Sequence, residues 1–100
     1  MTSKQRAFLI RLASKEQAIL HIGRAGLTPE LTESVKEALE ARELIKINIQ
    51  QNCLEDPDQT ARMLAERTGS EVVHIIGRKI VLYRPGKGKK KKIELPQKNA

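Results

Sequence analysis

Aromatic residues are nearly missing from this chain of 100 residues, which has one phenylalanine, one tyrosine and no tryptophan. Proteins that read single-stranded nucleic acids by base stacking usually place several aromatic side chains on a sheet. Phe8 falls in the apolar pattern of a predicted helix, so Tyr83 alone would be a poor platform. Any nucleic-acid recognition is therefore expected to depend on phosphates, sugars and the shape of the partner.

Cysteine and long apolar runs are equally scarce. Cys53 is the single cysteine, so it cannot form an internal disulfide, and no Cys or His stands at zinc-ligand spacing from it. No apolar run approaches the roughly 20 residues that a membrane-spanning helix needs, and the first residues lack the apolar stretch of a signal peptide. We expect a cytoplasmic protein that has no membrane partner and holds no metal or other cofactor.

Residues suited to catalysis are few. His21 and His74 fall within predicted strands, and neither has a neighbour in the sequence that suggests a nucleophile pair. Asp56 and Asp58 are explained by helix capping, and the chain has neither a phosphate-binding Gly-Lys-Ser/Thr loop nor a dinucleotide fingerprint. We therefore expect no enzymatic activity and no small-molecule substrate.

Positive charge is concentrated at both ends of the sequence, with a net charge of +7 overall. Residues 1–24 hold five basic residues and one acidic residue, whereas residues 27–72 hold five basic and ten acidic residues. Six lysines and one glutamate follow from residue 85 onward. A fold that gathers the basic segments would present a positive face to a polyanion. On the first helix the pattern singles out Lys4 and Arg11, for which a merely solvated face is the alternative.

Apolar periodicity and capping signals divide the chain into seven elements. The expected fold is a two-layer α/β sandwich with one four-stranded mixed sheet, in the order α-β-α-β-α-β-β. Strands joined through helices should run parallel, and the last two strands form an antiparallel hairpin. We expect a domain over residues 1–85 and a lysine-rich flexible tail over residues 86–100. The elements are predicted as a helix over 4–14, a strand over 18–22, a helix from Pro29, a strand over 44–49, a helix from Pro57 to Thr68, and strands over 71–76 and 80–84.

The second predicted helix has a strongly acidic side. This side suggests an alternative function, a protein-interaction adaptor that binds a basic partner and carries an incidental polybasic tail. The acidic residues predicted to be exposed are Glu30, Glu33, Glu37, Glu40 and Glu43.

Two glycines three positions apart, Gly23 and Gly26, separate the first strand from this helix. Glycine tolerates unusual backbone angles and close approach, so such a turn can offer N–H groups to a phosphate at a helix N-terminus. Arg24, between the glycines, adds a planar guanidinium group whose N–H donors can bind a phosphate or a base edge. A tight structural connection without a ligand explains the same glycines, and the local sequence does not decide between the two.

Taken together, these segments resemble the YhbY-type CRM domain family (chloroplast RNA splicing and ribosome maturation). The likeness covers about residues 3–85 and extends to Ile93–Pro96. Its motifs are Ile22–Thr28, Ala38–Glu40, Glu43–Ile47, Thr68-Gly69, Val73, Ile76–Lys79 and Val81–Pro85.

The resemblance implies a fold like the C-terminal domain of a translation initiation factor. It also implies RNA binding through the Gly-x-x-Gly loop and association with ribosomal RNA in precursors of the large ribosomal subunit. We expect a monomer that assists ribosome assembly without catalysis. The predicted RNA-binding residues are Gly23, Arg24, Ala25 and Gly26 in the loop, Lys4 and Arg11 in the first helix, Arg78 and Lys79 in the hairpin, and Lys89, Lys90, Lys91 and Lys92 in the tail. The tail either adds nonspecific affinity or threads between RNA helices, and the sequence does not decide between the two.

Overall fold

The computed structural model describes residues 1–88 and 92–96. Seven elements occur there in the order expected from the sequence. The helices are α1 (Ser3–Ala13), α2 (Pro29–Arg42) and α3 (Pro57–Thr68), and the strands are β1 (Leu20–Ile22), β2 (Leu44–Ile49), β3 (Glu71–Ile76) and β4 (Lys79–Tyr83).

Local capping residues explain why each helix begins where it does. Thr2 accepts a hydrogen bond from the Gln5 N–H, and the Gln5 side chain accepts one from the Thr2 N–H, which completes a capping box. Thr28 accepts from the Leu31 N–H and Asp56 accepts from the Gln59 N–H, each with a proline at the next position. The starts of α2 and α3 agree with the sequence-based prediction, whereas α1 begins and ends one residue earlier than predicted, directly after its Thr2 cap.

The four strands form one mixed sheet in the order β1-β2-β4-β3. β1 pairs with β2 in parallel, and β4 lies between β2 and β3, antiparallel to both. β1, β2 and β3 therefore run in the same direction, and their C-terminal ends lie at one end of the sheet. We call this the loop end, because the Gly23–Gly26 segment follows β1 there. The predicted α/β fold with a four-stranded mixed sheet is confirmed.

Helices lie on both faces of the sheet. The main core fills the space between one face and the helices α2 and α3, with Ile22, Ile47, Leu64 and Leu82 among its fully buried side chains. A smaller cluster lies under α1 on the second face, and its strand residues are Leu44, Val73, Val81 and Tyr83. Since Leu44 begins β2 and Tyr83 ends β4, α1 covers the half of that face away from the loop end. α1 thus forms a partial third layer, which the predicted two-layer architecture did not include.

Glu43 follows α2 and corrects one sequence-based expectation. The prediction that it belongs to the exposed acidic side of α2 is wrong, because its side chain is only 1% exposed. Its backbone has φ +66°, a conformation that costs energy for any residue other than glycine. Its carboxylate accepts hydrogen bonds from the N–H groups of Gly86 (2.5 Å), Lys92 (2.5 Å) and Ile93 (2.8 Å).

Those bonds hold a segment of the predicted tail against the domain. Ile93 and Leu95 pack against the cluster under α1, and the Gln5 Nε2 donates to the Pro96 carbonyl at 2.9 Å. We call residues 92–96 the docked segment. For the rest of residues 86–100, flexibility stays a prediction. The predicted RNA-binding residues Lys89, Lys90 and Lys91 lie outside the described residues.

Candidate nucleic-acid interface

Three connections meet at the loop end of the sheet. One is the β1–α2 connection, the second is the β2–α3 connection at residues 50–56, and the third is the Gly77-Arg78 turn between β3 and β4. The parallel course of β1, β2 and β3 places all three there. Every residue of the predicted glycine and hairpin motifs therefore lies at one end of the molecule.

The glycine loop, residues Gly23–Gly26, is a closed turn with an exposed tip. The Gly26 N–H donates to the Gly23 carbonyl at 3.0 Å, which leaves Arg24 and Ala25 at the exposed positions between them. Among the described residues, the backbone N–H groups of Arg24 and Ala25 have no protein acceptor. The tip thus offers two backbone donors and one guanidinium, which is the donor set that suits a phosphate.

A carboxylate from the second connection closes the other side of the loop. Glu55 Oε1 accepts a hydrogen bond from the Leu27 N–H at 3.2 Å. A Cβ atom on Gly26 would lie 1.7 Å from the same oxygen, and Gly26 itself has φ +69°. The backbone angle therefore favours glycine at position 26, and any larger residue there would also displace the Glu55 carboxylate from the loop. Sequence reasoning missed Glu55, although adjacent parallel strands bring their C-terminal connections together and so point to it.

Arg78 holds the second connection in place. Its Nε donates to the Ile49 carbonyl at 2.9 Å, and its Nη2 donates to the carbonyls of Gln50 (2.7 Å) and Cys53 (2.9 Å). The Ile49 N–H donates in return to the Arg78 carbonyl at 2.7 Å. Arg78 thus ties the hairpin to the connection that carries Glu55, and these contacts support a positioning role. Its predicted contact with RNA stays a prediction.

The other predicted basic residues do not all gather at the loop end. Lys79 begins β4 there and is exposed. Lys4 and Arg11 are exposed on α1, which covers the opposite half of the sheet. Lys92 lies at the C-terminal end of α2, where its Nζ donates to the Ala41 carbonyl at 2.6 Å. The glycine loop and Lys92 are therefore separated by the length of α2, about 21 Å for its 14 residues.

The described residues also include a buried phenol, that of Tyr83. Burial raises the pKa of the Tyr83 phenol, and the nearby carboxylates of Glu43 and Glu71 raise that pKa further. Among residues 1–88 and 92–96, no three His, Cys, Asp or Glu side chains stand close enough together to hold a metal ion. Within the same ranges, none of the helices has the length and apolar character that crossing a bilayer requires.

Comparison with known proteins places this architecture in a family. The family model of the CRS1/YhbY (CRM) domain matches residues 1–84. The chain belongs to the CRM domain family.

Two bacterial relatives of this CRM domain and one solved structure span nearly the same length as this chain. The protein named "Probable RNA-binding protein YqeI" of Bacillus subtilis is 42% identical, with 96% of this chain and 99% of that protein covered. An "RNA-binding protein" of Haemophilus influenzae is 32% identical, with 98% and 97% covered. The solution structure of protein SAV1595 from Staphylococcus aureus superposes with a TM-score of 0.80 at 41% identity, with 96% and 99% covered.

Proposed function

We propose that this CRM domain binds RNA through the tip of the glycine loop and acts without catalysis. The observation that carries the proposal is the donor set at the tip, which combines the Arg24 side chain with the backbone N–H groups of Arg24 and Ala25, for which the described part of the chain supplies no acceptor. The names of the relatives from B. subtilis and H. influenzae support RNA as the partner. The fixed loop geometry, held by Glu55 and indirectly by Arg78, supports contact with a phosphate backbone.

The test is the affinity of the full-length protein for a blunt RNA hairpin, measured by fluorescence anisotropy. Arg24→Glu combined with Ala25→Asp should weaken binding about tenfold or more, because it places negative charge where phosphate would lie. Arg42→Glu combined with Ala41→Asp is the control with the same change in charge, since both residues are exposed and lie at the end of α2 away from the loop. Thermal unfolding verifies that both variants fold. Equal affinity of the loop variant and the control would refute the loop assignment.

We further propose that the cellular partner is ribosomal RNA in precursors of the large ribosomal subunit, where the domain assists assembly. The support for this finer statement is the family to which the chain belongs. Crosslinking in cells, followed by sequencing of the bound RNA, should recover large-subunit ribosomal RNA still carrying precursor sequence. Recovery dominated by messenger or transfer RNA would contradict the assignment.

The adaptor function remains a second candidate because α2 does carry exposed carboxylates. Glu33 and Glu37 are exposed, whereas Glu40 forms an ion pair with Arg84 at 2.8 Å. A protein partner that survives ribonuclease treatment and is lost with Glu33→Gln and Glu37→Gln would favour this function. Retention of the partner by that double variant would exclude the acidic side as its binding site.

A further inference from the structure

The second face of the sheet has an uncovered row of side chains next to the glycine loop. Strand register places His21 opposite Asn48, Asn48 opposite Lys79, and Lys79 opposite Ile76. One residue from each of the four strands therefore lies in a single line, which at normal strand spacing is about 14 Å long. We call these four residues the sheet row.

Alternation along the strands fixes the side on which this row lies. Ile22, Ile49, Ile75 and Ile80 are the sequence neighbours of the four row residues; three belong to the main core under α2 and α3, and the partly buried Ile75 packs against it. Because successive side chains on a strand point to opposite faces, the row residues point to the second face. In the part of the chain that the structure describes, α1 covers the other half of that face, His21, Lys79 and Ile76 are exposed, and Asn48 is half-buried.

The sheet row combines an exposed apolar side chain with polar and charged side chains. Ile76 is 62% exposed, although it is a large apolar side chain in a strand. Asn48 and His21 make one weak contact with each other, with 3.5 Å between Asn48 Nδ2 and His21 Nδ1. Among the described residues they have no other side-chain partner. An amide and an imidazole present both donors and acceptors, whereas Lys79 presents positive charge.

The row is continuous with the proposed RNA contact. His21 precedes Arg24 by three residues, so their Cα atoms are at most about 11 Å apart. A nucleic-acid strand held by its phosphate at the loop tip would therefore have a neighbouring nucleotide within reach of the row. Duplex RNA exposes few base edges to side chains, whereas an unpaired nucleotide offers both a base face and hydrogen-bonding edges.

We infer that the sheet row binds a short unpaired RNA segment adjacent to the phosphate held by the glycine loop. Asn48 and His21 contact the edge of the first base, Lys79 faces the backbone, and Ile76, at the far end of the row, packs on the apolar face of a following base. The inference rests on the proposed function and adds the class of RNA to it, namely a structured RNA with a short unpaired segment beside its helix. Adenosine suits the site well, because an amide side chain matches the donor and acceptor of the adenine edge.

The test uses two RNA hairpins of identical stem and loop, one blunt and one with a short unpaired adenosine extension. The full-length protein should bind the extended hairpin about fivefold or more tightly than the blunt one. Asn48→Ala and Ile76→Ser should each reduce this ratio toward one while leaving affinity for the blunt hairpin within about twofold. Asn52→Ala and Leu54→Ser are the matched controls, because both residues are exposed at the same end but lie outside the sheet; Leu54 is 97% exposed.

The outcomes separate this inference from the proposed function. An unchanged ratio in the two row variants overturns the inference, as does equal weakening on both hairpins. In another outcome, the Arg24→Glu, Ala25→Asp variant weakens binding to the blunt hairpin while the two row variants keep the natural affinity ratio. That result would support the loop as an RNA site and exclude only the row as a binding site. If that loop variant leaves blunt-hairpin affinity unchanged, the proposed function fails independently of the row.

Discussion

At Gly26, the backbone angle favours glycine, and the absence of a side chain leaves room for the Glu55 carboxylate. The positive φ of +69° favours glycine, and the carboxylate of Glu55 occupies the space of a side-chain carbon. The Glu55 contact also sets up an electrostatic competition, because this carboxylate stands beside the loop that is proposed to bind phosphate. Glu55 orders the loop and at the same time opposes an anion there.

This competition predicts the effect of neutralising Glu55. Glu55→Gln keeps an oxygen to accept the Leu27 N–H but removes the charge, so affinity for the blunt hairpin should rise about two- to fivefold at low salt. Glu55→Ala removes the acceptor as well and should lose part of that gain. Glu66→Gln, an exposed site on α3, is the charge-matched control. Weaker binding by Glu55→Gln, measured by anisotropy, would show that the carboxylate does not oppose the RNA.

The phenol of Tyr83 gives a prediction about stability and pH. Tyr83 is 3% exposed, and among the described residues its hydroxyl has no hydrogen-bond partner. Tyr83→Phe should therefore leave the free energy of unfolding near neutral pH unchanged, or raise it by about 1 kcal/mol.

The sign of the pH dependence follows from the raised pKa of Tyr83 in the folded state. The unfolded chain releases the phenol proton near pH 10.0, whereas the folded chain still holds it at that pH. The contribution of the protonated phenol to the free energy of unfolding is therefore fully present below pH 10.0 and is lost as the pH rises through the pKa of the folded state. Urea unfolding across the alkaline range should show a steeper loss for the natural protein than for Tyr83→Phe. Parallel curves would mean that the phenol does not couple to folding.

Signals confined to neighbouring residues allowed the elements to be predicted. Thr28-Pro29 and Asp56-Pro57 cap their helices within one turn, and the starts of α2 and α3 followed from them. Contacts between distant residues carried no such signal. The burial of Glu43 depends on N–H groups more than 40 positions away, and Arg78 reaches carbonyls of another connection. The sequence could therefore locate the glycine loop. The predicted parallel strands pointed to the connection that carries Glu55 but not to this residue in it, and nothing local indicated the carbonyls that Arg78 contacts.

The docked segment is the element whose contribution to stability can be tested most simply. Glu43→Gln removes the charge that receives three N–H groups in a buried site, so the free energy of unfolding should fall by about 1.5–3 kcal/mol. Hydrogen exchange at the Ile93 amide should accelerate in the same variant. Glu37→Gln, on the exposed side of α2, should change neither quantity measurably. Unaltered protection of Ile93 would contradict anchoring by Glu43.

At the scale of the whole molecule, the glycine loop and the docked segment lie apart. The glycine loop is at one end of α2, and Lys92 of the docked segment is at the other, about 21 Å away. Removing everything after Pro85 would also remove Ile93 and Leu95 from the cluster under α1. A change in the RNA affinity of such a shortened protein could then come either from the lost charge or from a less stable domain. Substitution of Lys89, Lys90 and Lys91 by glutamine changes the charge and keeps the docked segment.

The most direct test of RNA binding at the glycine loop is the salt dependence of affinity for the RNA hairpin in this glutamine-substituted protein. Each phosphate neutralised steepens the dependence of the logarithm of affinity on the logarithm of salt concentration by slightly less than one. The protein should still bind, and adding Arg24→Glu with Ala25→Asp should reduce both the affinity and the slope, the latter by about one. If binding disappears with the lysines and the loop change has no further effect, the glycine loop is not the RNA site of this domain.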